Sequence, residues 1–500
     1  MANMALYCSK FIDRMGTDKI EGIALNYQAI TGVNVSSQAF TGMKNLRFLK
    51  FQNANASHGP NSLPHDLRWL DWHGYPSKSL PGSFKGERLV SLKMQYSRVI
   101  QLWKGLQLEM LILSGCLRLE SFPEIGGPMA CLLDVYAEAT ALREFPSSIE
   151  FLTCLRLINL SNCKHLTSLP SSICGLKGLK VVTLSGCSKF DKLPDELGDM
   201  ECLEELYCDG TAIQELPPSI SRLKKLNTLS ISGCKPPASR SQYSLFHHLL
   251  LPGSFQDTNA SSLHYLSGLS SLVELDLSDC SMLDGGIPCD LGALSSLALL
   301  NLSNNKFASI PAEAISCLPN LAELFLVGCE NLEILPQLPS SLETVCLDEC
   351  TSLKANIDSF TKCQNLIQIS FTKCDQLLQD EGNSQMVDAM WQHLLKSSYY
   401  WCVHNPNESC QIEVSPPQFE SDTVHKSFGV RLVYEDDVKQ GDEEVEAVMS
   451  QSKSSHSQFG KMGLFPAVFN GSHYVKKKKT HSIGQYFPRL PPKADASQHS

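Results

Sequence analysis

Apolar residues recur along the chain in a six-position frame whose first, fourth and sixth places hold leucine or a close substitute, with polar or small residues between them. Leu155, Ile158 and Leu160, closed by Cys163, return 24 residues later as Leu179, Val182 and Leu184, closed by Cys187. The frame restarts at Leu46, Leu67, Leu89, Leu108, Leu132, Leu203, Leu226, Leu272, Leu297, Leu321, Leu342 and Leu366, fourteen times in all. Alternation at period two within the frame predicts a short strand whose leucines enter a core and whose intervening residues face solvent. A second column keeps step with the first: Pro81, Pro123, Pro146, Pro170, Pro194, Pro217, Pro288, Pro311 and Pro336, each preceded by Leu, Phe or Ile. Proline has no amide donor and a fixed φ, so this column predicts the point where each strand has ended and the chain turns back.

Most of these intervals lie between 19 and 25 residues, the period of leucine-rich repeats. The expected fold is an α/β leucine-rich-repeat solenoid, a horseshoe with parallel strands on its concave face, a small C-terminal β remnant and a disordered tail. Residues 1–45 form a lead-in and residues 46–378 the array. The interval from Leu226 to Leu272 is 46 residues long and reads as one degenerate repeat with an insertion at about 235–265. Val387, Met390, Trp391, Leu394 and Leu395 fall at helical spacing, which predicts a helix over 379–396 that caps the last repeat. Strand-like pieces in 397–440 suggest a partial β module. The acidic and serine-rich stretch with Lys476 to Lys479, over 441–500, reads as tail.

Composition narrows the function. Hydrophobic residues are 43% and charged residues 19% of 500, a globular balance. The formal net charge of -10 argues against direct nucleic-acid binding, which needs a basic footprint. No secretory signal or span of 18 uncharged apolar residues is visible, so no membrane partner is expected and the expected setting is cytoplasmic. Lys476 to Lys479 read as a minimal nuclear-import signal or, more simply, as a solvated run.

Candidate chemistry is sparse. No GxxxxGK[ST], GxGxxG or GxSxG motif occurs, and no metal or cofactor is expected. Cys116, Cys163, Cys187, Cys234, Cys280, Cys329, Cys350 and Cys374 occupy the closing position of the frame, where Asn305 stands in its own repeat, and are expected to face inward as thiols. Cys346 and Cys350 alternate outward and inward, which disfavours a zinc pair. Asn159, Asn301 and Asn407 begin Asn-x-Ser triplets that carry sugar only in a secreted protein. The outward strand positions are more informative. They place Trp69, Asp71, His73, Lys93 and Tyr96 near the start, then Tyr136, Glu205, Tyr207, Asp209, Asp276 and Phe325 on an acidic and aromatic face. Aromatic anchors in a charged surround are what protein interfaces use, and Trp69, Tyr136, Glu205, Tyr207, Asp209, Asp276 and Phe325 are the expected protein-binding residues.

Several segments resemble the plant intracellular immune receptors of the TIR, NB-ARC, leucine-rich-repeat class. They are Gly16 to Ile23, Ala39 to Leu49, Leu67 to Pro76, Ser79 to Pro81 and Gln101 to Gly105, and Phe428 to Glu435 is similar to the last strand of the jelly-roll/Ig-like domain that follows the repeats in that family. The family's TIR domain cleaves NAD and its nucleotide-binding domain switches between ADP and ATP states. The sequence matches neither, so no catalytic activity is expected of it. The resemblance implies recognition of a pathogen effector or a guarded host protein, defense signalling, and contact with the NB-ARC domain of a full-length receptor. The alternative is a cytosolic substrate-selecting adaptor of a ubiquitin-ligase complex, whose repeats also use inward cysteines.

Overall fold

The computed structural model describes residues 18–376, with gaps at 26–33, 53–57, 101–107, 126–130 and 235–261 and at scattered positions beyond 354, together with the strands Met4–Ala5, Phe11–Ile12, Cys402–Asn405 and Cys410–Glu413. One unit spans Met1–Leu432; a second, Val433–Ser500, lies outside the described residues. Outside them also fall the expected capping helix over 379–396, the tail over 441–500, and all of the 397–440 module except an antiparallel pairing of Cys402–Asn405 with Cys410–Glu413.

Each of the fourteen frames forms a strand, usually of three residues, and the strands stack in parallel into a single 16-stranded sheet in strict chain order. The two additional strands, Met4–Ala5 and Gly22–Leu25, come from the lead-in. The second of these follows the same frame with isoleucine for leucine: Ile20, Ile23 and Leu25 are buried. Thr228–Ser230 pairs directly with Glu274–Asp276, so the 46-residue interval contributes no strand between them. Burial alternates in these strands as the pattern requires, with Leu206, Leu229, Leu275, Leu300 and Leu324 inside and their neighbours partly exposed. A strand this short cannot bury a core alone, but each repeat covers the apolar side of the one before it, which is how a solenoid closes its core.

The returning segments explain the proline column. Pro146, Pro170, Pro217 and Pro288 are the N-cap residues of 3-10 helices Ser147–Phe151, Ser171–Gly175, Pro218–Arg222 and Cys289–Ala293, and Pro311 precedes the α-helix Ala312–Ser316. Their ψ angles, from 131° to 150°, are extended, so proline holds the chain out of helical conformation for one residue before the turn winds. The returns pack closely on one another. A Cβ on Gly198 would stand 2.1 Å from the Ser219 carbonyl oxygen, so only glycine fits there.

Where each strand from Ser91–Lys93 onward leaves the sheet the chain passes through a left-handed residue just before the inward Cys, Asn, Thr or Ser. Glycine takes this position at 115, 186, 210, 233 and 328, and Tyr96, Ala139, Asn162, Asp279, Asn304, Glu349 and Lys373 take it elsewhere. The inward side chain then ties neighbouring repeats together. The Cys187 thiol donates to the Leu160 carbonyl at 3.1 Å and Cys350 to Leu326 at 3.1 Å. Asn305 does more, donating to Leu277 and Leu302 at 2.9 and 2.8 Å while its carbonyl accepts from the Met282 amide at 3.0 Å.

Candidate functional site: the strand-lined face

Parallel pairing in strict register lines up the outward positions of successive strands into rows that cross the whole sheet. One row runs Tyr136, Asn159, Thr183, Tyr207, Ser230, Asp276, Asn301 and Phe325. The row beside it runs Asp134, Leu157, Val181, Glu205, Thr228, Glu274, Leu299 and Glu323. A third, one step beyond the strand ends, includes Glu138, Ser161, Ser185, Asp209, Ser232, Ser278 and Ser303.

All seven expected binding residues lie on this face and are half-buried, but they do not form one cluster. Glu205, Tyr207, Asp209 and Asp276 sit within two strand steps of each other, Tyr136 is three strands upstream of Tyr207, and Phe325 is two beyond Asp276. Trp69 stands three strands upstream of Tyr136, in a different chemical setting.

Hydrogen bonding separates the acids by role. The Asp209 carboxylate accepts from the Ser185 hydroxyl at 2.9 Å, from the Ser232 amide at 3.1 Å and from the Ser230 hydroxyl. Asp276 accepts from the Ser278 amide and hydroxyl at 2.9 and 2.6 Å and from the Asn301 amide nitrogen at 3.0 Å. These two carboxylates tie strand to strand and have little capacity left for a partner. Asn159 and Asn301 serve the same ladder. Asn159 donates to Glu138 at 2.8 Å and accepts from Ser161, and Asn301 accepts from the Ser303 amide. The Asn-Leu-Ser triplets are therefore hydrogen-bonding motifs of the sheet, a role invisible without the register that brings their partners alongside. Asp71, outward by alternation, is only 7% exposed and stands 3.7 Å from the Lys50 ammonium.

Glu205, Glu274 and Glu323 face solvent more openly. Burial raises the Glu274 carboxyl above its ordinary value, and the neighbouring charges of Glu205 and Glu323 add to the rise. The Tyr207 hydroxyl donates to Glu205 at 3.0 Å. Burial first, and the Glu205 charge second, push the Tyr207 hydroxyl up, so it stays a neutral donor at every physiological pH. Tyr136 is raised in the same way by burial and then by Asp134 and Glu138. From Asp134 onward the three rows carry Asp134, Glu138, Glu205, Asp209, Glu274, Asp276, Glu323 and Asp348 and, among the described residues, no lysine, arginine or histidine.

Among the described residues no group of His, Cys, Asp and Glu is arranged to hold a metal ion, and no helix is long and apolar enough to cross a membrane. Fold and face define a leucine-rich-repeat protein whose solvent-facing chemistry lies on its strands. Comparison with known proteins refines that class. Residues 106–192 match a family model described as "Disease resistance protein RPS4B-like, leucine-rich repeats". Disease resistance-like protein DSC1 of Arabidopsis thaliana is 29% identical over 437 residues, covering 71% of this chain and 34% of that protein. TMV resistance protein N of Nicotiana glutinosa is 29% identical over 413 residues, covering 68% and 34%. The chain thus spans about a third of the length of these curated relatives. Among solved structures, a leucine-rich-repeat protein of Leptospira interrogans aligns over 76% of this chain and 90% of its own, at 19% identity and a TM-score of 0.47. The array is thus similar in sequence to the leucine-rich repeats of plant disease resistance proteins.

Proposed function

We propose that the strand-lined face is a non-catalytic recognition surface for protein partners in plant immunity, sensing a pathogen effector or a guarded host protein inside the cell. In a full-length receptor it would also contact the NB-ARC domain. The observation that carries this reading is the row that aligns Tyr136, Tyr207 and Phe325 beside the acids Glu205, Glu274 and Glu323, with no base among them. Half-buried aromatic groups gain from full desolvation in a complex, and rim carboxylates steer the encounter. The relatives' roles in disease resistance support the setting.

A photocrosslinking residue placed at Tyr207 in the full chain, expressed in leaf cells, should capture a protein partner. The same residue at Lys225, which is exposed on a returning segment, should not. Tyr207→Ala and Phe325→Ala should each weaken binding of the captured partner to the purified chain by about 2 kcal/mol, at low and high salt alike. Crosslinks confined to the Lys225 side, with both alanine variants neutral, would place recognition elsewhere.

A further inference from the structure

The first strands of the sheet carry a surface unlike the rest. Trp69 stacks on Phe48 with ring centroids 6.0 Å apart, and the Lys93 ammonium stands 4.9 Å over the Trp69 ring. Tyr96 meets His73 edge to face at 4.9 Å. Tyr96 is 67% exposed and takes the left-handed position with φ 55°, where glycine serves in other repeats. A bulky aromatic residue there is strained, and such strain concentrates at working sites. Gly115 in the next repeat lets the ring lie where it does, since a Cβ on it would come 2.5 Å from the Tyr96 ring.

Under this layer three buried polar atoms have no hydrogen-bond partner: Trp69 Nε1, His73 Nε2 and Ser91 Oγ. Ser91 is 2% exposed although alternation puts it on the outward face, because Trp69 and Met110 flank it in register. Unpaired buried polar groups cost free energy that a partner can return. Their covers, Lys93 and the exposed Tyr96, are side chains whose rotamers change quickly and cheaply. Indole N–H and ammonium groups only donate, so the complementary ligand must accept. The exposed Arg47 and Arg68 precede these strands and add positive charge, while Asp71 is occupied by Lys50.

We propose that this patch is a docking site for a short, extended, acidic segment of a protein partner, resting on the reading of the strand-lined face as a recognition surface. Its carboxylates would displace Lys93 from the indole, pair with the ammonium, and accept from Trp69 Nε1. A nucleic acid is the poorer occupant. The patch spans about three strands, roughly 10 to 15 Å, beyond which the three outward rows carry acidic charge alone and repel a continuing polyanion.

Fluorescence anisotropy with the full chain and a labelled peptide of alternating glutamate and serine tests the site, beside its lysine counterpart and an oligothymidylate. The acidic peptide should bind, weaken with salt, and lose about tenfold in affinity in Lys93→Glu. The indole N–H signal absent from Trp69→Phe should shift on binding. Tyr207→Ala should leave this binding unchanged. The proposal is overturned if the lysine peptide or the oligothymidylate binds more tightly than the acidic one, or if Lys93→Glu has no effect. Such a result with crosslinking at Tyr207 intact removes this occupant alone. Loss of that crosslinking with acidic-peptide binding intact removes the Tyr207 reading instead.

Discussion

At single residues, the repeat solves one recurring problem with small polar side chains. Every inward turn leaves a carbonyl of the preceding repeat needing a donor. A thiol supplies one hydrogen bond and otherwise packs as a small apolar group, which suits a core position. Burial pushes the Cys187 thiol up to about 12 and the Cys116 thiol to about 11. Since only the thiolate attacks an alkylating reagent, Cys163, Cys187 and Cys234 should resist iodoacetamide in the folded chain, while the exposed Cys131, Cys154, Cys289 and Cys317 react early. Peptide mass spectrometry of a labelling time course checks this, and a disulfide joining any of the first three would contradict it. The inward position was legible in the sequence because cysteine recurs in phase with leucine. The ladder role of Asp209 was not, because its donors Ser185 and Ser230 lie on strands before and after it and meet it only through the register. The orphaned Trp69 Nε1 was equally hidden, since composition says nothing about which indole lacks an acceptor.

At the scale of elements, strands read from the sequence and returns did not. All fourteen leucine frames became strands because a fixed apolar phase leaves no other way to bury three side chains in six residues. Gly22–Leu25 escaped that reading only because Ile20 and Ile23 replace leucine. The returns vary in length and winding, and proline marks where they begin but not what they form. Their packing yields a sharp expectation at Gly198, whose Cβ would collide with the backbone of Ser219 in the next return. Gly198→Ala should destabilise the array by about 1 to 3 kcal/mol, lowering the urea midpoint. Gly175→Ala, where nothing lies within 4 Å, should be neutral or slightly stabilising. Equal midpoints for the two variants would show that the returns separate easily.

For the whole molecule, an acidic face has a thermodynamic signature. Burial raises the carboxyls of Asp134, Asp209 and Glu274. A carboxyl whose folded value exceeds its unfolded one binds a proton more readily in the folded state. Stability then falls as pH rises through the folded value, and is regained on acidification down to the ordinary carboxylate value near about 4. The thermal midpoint should accordingly rise as pH is lowered from 7 towards that range, and Glu274→Gln should reduce the rise. A midpoint that falls steadily with acidification, in both proteins, would show that paired carboxylates elsewhere dominate.

Strict register also makes the sheet a ruler. Tyr136, Tyr207 and Phe325 occupy one row at separations of three and then four strands, or about 14 and 19 Å at the usual strand spacing. An extended chain laid along the row would reach them with residues about four and then six apart, whereas a helix would need about ten and then thirteen. The array thus dictates a spacing rule to whatever lies against it, and a partner's own sequence can be searched for anchor residues at one interval or the other before any complex is made.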